Sequence, residues 1–279
     1  MKRRTFVSAL TGGAAFLSLP QLARAADELH VGFIPEVATT PSSIAEKQPF
    51  VDYLTKALGR PVKLIIPTNY AATVEAIGNG SLDLAHFGAL TYIKAAARYH
   101  VKPLVQRVED RSFHSLFITG DPSIAALKDL KGKTFAFGDV NSTSGHLVPA
   151  KELLAAGIDP DKDLVARFSG NHTNTAIAVN SGQVVAGALD ETVYHKLVDD
   201  KTIDGTSKAR VFHTSQPFID YVWAVRSDLD PASVAQIRSA FLSLGDPKVL
   251  AILRGTKYVV ANDAEYDPLR ATAKSIGLL

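Results

Sequence analysis

The 279-residue sequence contains no cysteine, a single methionine, a single tryptophan and no apolar run long enough for a membrane-spanning helix. Without cysteine there are no disulfides, thiolate nucleophiles, thiolate zinc sites or iron–sulfur clusters. An excess of charge of one sign is also missing. Thirty Lys and Arg against 28 Asp and Glu leave a formal charge of +2, which does not fit a nucleic-acid-binding surface. The eight histidines form no H-x-x-x-H or H-E-x-x-H pair, so neither a metal nor another cofactor is expected. What is abundant is apolar residue, 46% against 21% charged. That balance excludes a disordered chain and supplies one large or two medium domains with real cores.

The first 25 residues read as an export signal. Lys2, Arg3 and Arg4 precede the short apolar run Val7 to Leu19, and Ala23-Arg24-Ala25 has the small-x-small form of a cleavage site. Arg3-Arg4-Thr5-Phe6 also resembles a twin-arginine signal, with an ordinary Sec signal as the alternative. Cleavage after Ala25 would remove four cations and no acid, turning +2 into −2. The expected location is the periplasm.

From Leu29 onward, strand-like and helix-like segments alternate. Leu29–Ile34, Val62–Ile66, Leu84–Phe87, Ser115–Thr119, Thr134–Phe137 and Gly187–Leu189 read as strands. Between them Pro49–Leu58, Ala71–Ile77, Ala89–Tyr99, Gly145–Ala156, Thr173–Asn180 and Glu191–Asp199 read as helices. The rhythm predicts an α/β fold with mixed, mostly parallel sheets. The helix-to-strand passage Asn79-Gly80-Ser81-Leu82-Asp83-Leu84-Ala85 is echoed by Ser181-Gly182-Gln183-Val184-Val185-Ala186-Gly187, which suggests two lobes of similar plan. Lobe 1 would comprise 26–120 and 222–279, and lobe 2 would comprise 121–221. Two chain crossings would then form a hinge beside a cleft.

The segment richest in chemistry runs from Thr134 to Pro149. A buried strand stops at Gly138, a polar turn carries the consecutive hydroxyls of Ser142, Thr143 and Ser144, and a helix opens at Gly145. Free N–H groups and the positive dipole end of a helix start attract anions, and hydroxyls add neutral donors. The segment has neither the lysine and spacing of a P-loop nor the G-x-S-x-G of a nucleophile elbow. Simple helix capping would need only one hydroxyl. The pattern suits reversible binding of a small tetrahedral oxyanion.

Here the chain resembles the substrate-binding proteins of phosphonate-, phosphite- and phosphate-type ABC transporters. The resemblance rests on Asn141-Ser142-Thr143-Ser144-Gly145-His146-Leu147-Val148-Pro149, with Leu127–Lys133, Asn69-Tyr70-Ala71, Leu82–Gly88 and Asn171–Val179 in the expected order. It implies a bilobal periplasmic binding protein of type II with its ligand between the lobes. Ser142, Thr143 and Ser144 match the family's phosphonate-holding hydroxyls, and His172 matches a ligand-contacting histidine. Tyr70 falls where a cleft side chain is expected. Phe87 stands where some members have tyrosine, and His86 where some have tryptophan. Asp190 and Asp220 correspond to cleft carboxylates, with Glu191 an alternative to Asp190 if the register shifts by one residue.

The resemblance implies a monomeric binding module that captures phosphite or a small phosphonate, then phosphate, and passes it to an inner-membrane permease. Two other readings use the same residues. A sensor accessory would dock on a receptor kinase instead. A secreted serine hydrolase or phosphatase would need Ser144, His146 and Asp190 to assemble as a triad.

Overall fold

The computed structural model describes residues 28–279, so the expected leader lies outside the described residues. A first sheet is begun by β1 (Leu29–Phe33), followed by α1 (Pro41–Ala45), α2 (Gln48–Leu58), β2 (Val62–Ile65), α3 (Tyr70–Gly78), β3 (Leu84–Phe87), α4 (Ala89–Tyr99) and β4 (Lys102–Arg107). A second sheet takes β5 (Ser115–Thr119), β6 (Thr134–Phe137), α5 (Val148–Ala155), β7 (Val165–Phe168), α6 (His172–Asn180), β8 (Ala186–Asp190), α7 (Glu191–Asp199) and β9 (Arg210–Thr214). The chain then rejoins the first sheet through β10 (Val222–Val225), α8 (Pro231–Leu242), α9 (Pro247–Ile252), β11 (Tyr258–Val260) and α10 (Asp267–Ser275).

The strand orders are β11-β4-β10-β3-β1-β2 and β7-β6-β8-β5-β9. The sheets are mixed rather than mostly parallel. Strands β2, β1 and β3 run parallel, as do β7, β6 and β8, but β10 pairs antiparallel with β3 and β4, and β5 antiparallel with β8 and β9. The reversal has a topological cause. β5 and β10 are the strands by which the chain enters one lobe and re-enters the other, so each joins its sheet from the hinge side. The two sheets thus share a plan: a parallel trio with the crossing strand added against its third member.

The expected boundary after Gly120 gave β5 to the first lobe, whereas the structure pairs it in the second sheet. The sheet changes between β4 and β5, and returns between β9 and β10. These two passages are bonded to each other. Phe113 and Phe218 exchange N–H···O bonds of 2.8 and 3.0 Å, the Asp220 N–H donates to the Asp110 carbonyl (2.9 Å), and the Ser215 N–H donates to the Ser115 carbonyl (3.0 Å). The hinge is therefore a two-stranded antiparallel ribbon.

Each lobe has a dense interior. Phe33, Phe50, Trp223 and Phe241 pack on one face of the first sheet, and Ile34, Tyr70, Phe87 and Tyr92 on the other. In the second lobe Gly187 of β8 lets α6 lie close. A methyl added there would sit 2.9 Å from the Ala136 carbonyl oxygen of β6 and 2.8 Å from Thr175. Since a ladder carbonyl cannot step aside, Gly187→Ala is expected to destabilise the protein by about 1–3 kcal/mol in urea denaturation.

Candidate functional site

The Ser142–Ser144 turn is built by close backbone approach. After β6 the Gly138 N–H donates to the Gly145 carbonyl at 2.8 Å. A methyl on Gly145 would meet Ser142 Oγ at 2.9 Å, His172 Cε1 at 3.1 Å and Gly138 Cα at 3.2 Å. Residues Thr143–Leu147 form a wide π-type turn before α5 rather than the α-helical start the sequence suggested, with Ser142 as its cap and its Oγ accepting from the Gly145 N–H at 3.0 Å. The N–H groups of Thr143 and Ser144 open this turn, where a helix offers them no carbonyl partner.

Thr143 reaches across the cleft. Its Oγ1 accepts from the Leu90 N–H of α4 at 3.0 Å, and its hydroxyl lies against the Asp220 carboxyl. Asp220 Oδ1 accepts from the neighbouring Ala89 N–H at 2.9 Å. Gly88 makes the approach possible, since a methyl there would be 3.1 Å from Thr143 Oγ1 and 3.3 Å from Asp220 Oδ1. One turn on, the Thr91 hydroxyl donates to the Asn141 carbonyl (3.0 Å) and Lys94 Nζ to Asn141 Oδ1 (2.7 Å). The lobes are thus drawn together at the N-terminus of α4.

Two matching helix starts face this junction. Asn69 caps α3 and Asn171 caps α6, each with its side-chain oxygen 2.8 Å from a backbone N–H of the first turn. The first residue of each helix is a candidate: Tyr70 in one lobe and His172 in the other. The His172 N–H donates to the Glu36 carbonyl at 3.0 Å, a further bond between lobes. Its Nδ1 accepts from the Asp190 N–H at 3.3 Å, and Nε2 stands 3.5 Å from the Tyr221 hydroxyl. With Nδ1 as acceptor, a neutral ring carries its proton on Nε2.

All the candidates, namely Tyr70, His86, Phe87, Ser142, Thr143, Ser144, His172, Asp190 and Asp220, are at most 5% exposed. Several of them keep polar atoms with no partner inside this closed region, namely Tyr70 Oη, His86 Nδ1, Asp190 Oδ2 and Asp220 Oδ2, and so does Glu36 Oε2 beside them. Buried polar atoms are ordinarily satisfied, so a concentration of unpaired ones contributed by both lobes has the hydrogen-bonding capacity to hold a polar ligand.

Burial sets the protonation states. It lowers His172 and drives His86 well below the ordinary histidine range, so both rings are neutral near neutrality. It pushes Asp220 well up, with the Ala89 N–H and the Thr143 hydroxyl offsetting only part of the effect and the charges of Asp190 and Asp110 adding to it. Burial works in the same direction on Asp190, but the Arg254 guanidinium and the Val193 N–H offset it and hold that carboxyl below its ordinary value. Burial also raises the Tyr70 and Tyr221 hydroxyls, which stay protonated donors.

Glu191 does not join the cluster; its carboxylate accepts from the N–H and ring of His114 at 3.0 and 3.1 Å. Alternation along β3 separates Phe87 from His86. Phe87 packs with Tyr70 and Leu147, while His86 stacks on Tyr221 (ring centroids 5.0 Å apart, planes 5° from parallel) and touches Phe33 and Trp223. The hydrolase triad is not assembled. His146 is held by the Val140 carbonyl at 2.8 Å and wedged between Phe137 and Phe168. Sequence reasoning missed Glu36, Arg254 and Tyr221. The tyrosine sits beside a candidate in the chain, whereas Glu36 and the half-buried Arg254 that pairs with it are separated by 218 residues and carry no local signal.

Comparison with known proteins agrees with this fold. The family model described as ABC transporter, phosphonate, periplasmic substrate-binding protein matches residues 32–266. A probable phosphite-binding protein of an ABC transporter from Prochlorococcus marinus (strain MIT 9301) is 29% identical over 246 residues, 81% of this chain and 82% of the relative. A phosphate-import protein of Mycolicibacterium smegmatis is 26% identical over 253 residues, 81% of this chain and 79% of the relative. The solved Prochlorococcus protein in complex with methylphosphonate superposes with a TM-score of 0.83 at 28% identity, covering 90% of this chain and 99% of that one. With two mixed sheets, a double crossing and a family match across most of its length, this chain belongs to the phosphonate-type periplasmic substrate-binding proteins of ABC transporters.

Proposed function

We propose that this protein captures a small phosphorus oxyanion, phosphite or a small phosphonate before phosphate, in the periplasm and hands it to an ABC permease in the inner membrane. The observation that carries this reading is the set of unpaired buried atoms on Tyr70, His86, Asp190 and Asp220 beside the Ser142–Ser144 turn. Donors there are neutral: the turn's N–H groups, the Ser142 and Ser144 hydroxyls, the Tyr70 hydroxyl and His172. A tetrahedral anion accepts from all of them, and several bonds to a charged group at about 1.5–3 kcal/mol each support micromolar or tighter binding after closure is offset. The ionised Asp190 repels a fully ionised ligand and so favours one that keeps a proton. The relatives' names favour the same ligand class. Export by the Sec or twin-arginine route and a monomeric state complete the proposal. No observation favours the sensor reading over transport.

Titration calorimetry of residues 26–279 against phosphite, methylphosphonate, phosphate, hypophosphite and sulfate tests it. Binding of a phosphorus oxyanion over sulfate is expected; a folded protein that binds none of them refutes the ligand class. Thr143→Ala should weaken the preferred ligand by about 1–3 kcal/mol, because the Leu90 N–H loses its acceptor across the cleft. Thr143→Ser should restore most of that. Equal affinity in the alanine variant would mean that the bond between the lobes does not contribute to the bound state.

A further inference from the structure

Asn141, the residue just before the hydroxyl turn, contributes nothing to the cluster of unpaired atoms, yet it is bonded across the cleft at two points. Its backbone carbonyl accepts from the Thr91 hydroxyl at 3.0 Å, and its Oδ1 accepts from Lys94 Nζ at 2.7 Å. Thr91 and Lys94 are three residues apart and share one face of α4. Thr91 is fully buried. Lys94 and Asn141 are half-buried and reach an open groove of about 380 Å³ that Val74, Arg98 and Leu278 also line. The contact therefore runs from the closed cluster outward to solvent.

Both halves of the contact are shaped within their own lobe. In the second lobe, Asp139 Oδ1 accepts from the Asn141 N–H at 2.7 Å, the Asp139 carbonyl from the Ser142 N–H at 2.9 Å, and Ser142 Oγ from the Gly145 N–H at 3.0 Å. These bonds lie within residues 139–145 and owe nothing to the first lobe. In the first lobe, Thr91 and Lys94 are carried by the eleven-residue helix α4. The single hydroxyl proton of Thr91 is committed to Asn141, so it is not a donor to an anion. No ligand atom takes part in the contact.

We propose that Asn141, Thr91 and Lys94 form a latch, made only when the lobes close, that sets how tightly the closed site holds any ligand without choosing among ligands. This rests on the phosphorus-oxyanion reading and deepens it. A bond made only in the closed form raises the closed fraction, and every ligand that binds that form gains by the same factor. The three are positioning residues, acting through the Ser142–Ser144 turn that Asn141 adjoins.

The test is calorimetry with phosphite, methylphosphonate and phosphate on the wild type and on variants at these positions, with the melting temperature of each protein measured without ligand. Thr91→Val keeps the side-chain shape but strands the Asn141 carbonyl in the closed form, and should weaken every ligand by about tenfold. Lys94→Met and Asn141→Ala remove one bond from its two ends. Each should weaken every ligand by about threefold, and the double variant by no more than either alone. Lys94→Arg keeps a donor and should bind within about twofold of the wild type. The ligand-free melting temperature should hold in all of them, because a contact made on closure adds nothing to an open protein. Unchanged affinity in Thr91→Val and Lys94→Met overturns the latch. So do altered ratios among the ligands, which would place these residues in the site itself, and so does a matching fall in the ligand-free melting temperature, which would make them supports of the fold. A wild type that binds none of the three ligands overturns the oxyanion reading first and this inference with it.

Discussion

Asp220→Ala is expected to weaken oxyanion binding by on the order of 100-fold or more, whereas Asp220→Asn should stay within about tenfold of the wild type near neutrality. Two losses combine in the alanine variant. The Ala89 N–H at the start of α4 is left buried with no acceptor in place of Asp220 Oδ1, and stranding a buried donor costs about 1–3 kcal/mol. The unpaired Oδ2 is the second loss. Burial and the nearby charges of Asp190 and Asp110 push this carboxyl well up, so the fold favours its protonated form, in which Oδ2 can donate to an anion. Asparagine keeps the Ala89 acceptor and places an amide N–H where the acid O–H was.

The pH dependence follows with a definite sign. A carboxyl whose folded value is raised binds a proton more tightly in the folded than in the unfolded chain. Its stabilising contribution is present at low pH and is lost as pH rises through the folded value. An anionic ligand deepens the preference for the protonated form. Affinity in the wild type should therefore fall as pH rises through that raised value, and Asp220→Asn should flatten the curve and be relatively more stable on the alkaline side. Calorimetry in two buffers of different ionisation enthalpy would read proton uptake directly. A steep alkaline rise in wild-type affinity, unaltered in Asp220→Asn, would show that this carboxyl is an ionised acceptor instead.

What could be read from the sequence was what neighbours in the chain decide. Alternation of apolar runs with glycine stops located β1, β3, β6 and β8 within a residue or so, and Asn69 and Asn171 have the short polar side chains that cap helices. The repeated Asn-Gly and Ser-Gly passages mark real equivalence, since Gly80 and Gly182 are both left-handed and each leads from the helix bearing a candidate, α3 or α6, into the third strand of a parallel trio. What failed was decided at a distance. β4 reads poorly as a strand because it contains Pro103 and ends in Gln106 and Arg107, polar residues buried by partners far along the chain. The strand direction at β5 and β10 depends on where the hinge lies, and no local pattern encodes that. Thr143 looked like a ligand donor, and only the folded chain reveals that its oxygen already accepts from the opposite lobe.

The largest loss of stability should come from Asp110→Ala, about 3–5 kcal/mol, with Tm lowered by on the order of 10 °C. Arg107 and Asp110 are each 1% exposed. Asp110 Oδ2 accepts from the Arg107 backbone N–H at 3.1 Å and from Nε at 2.8 Å, and Oδ1 accepts from Nη2. Nη1 holds the Leu253 and Arg254 carbonyls, and the guanidinium lies 5.2 Å from the Tyr221 ring centre. Removing the carboxylate leaves a buried guanidinium without its counter-charge, which is far costlier than losing an exposed pair. Because a desolvated ion pair contributes little net stability over apolar packing, replacing both members by Met and Leu should cost less than Asp110→Ala alone. A double variant as unstable as the single one would contradict that account. The pair also joins the first hinge passage to the loop that carries Arg254, and the Asp110 carbonyl takes the Asp220 N–H. Asp110→Ala should therefore weaken ligand binding as well as folding, and a variant that unfolds more readily yet binds with wild-type affinity would show that hinge and site are uncoupled.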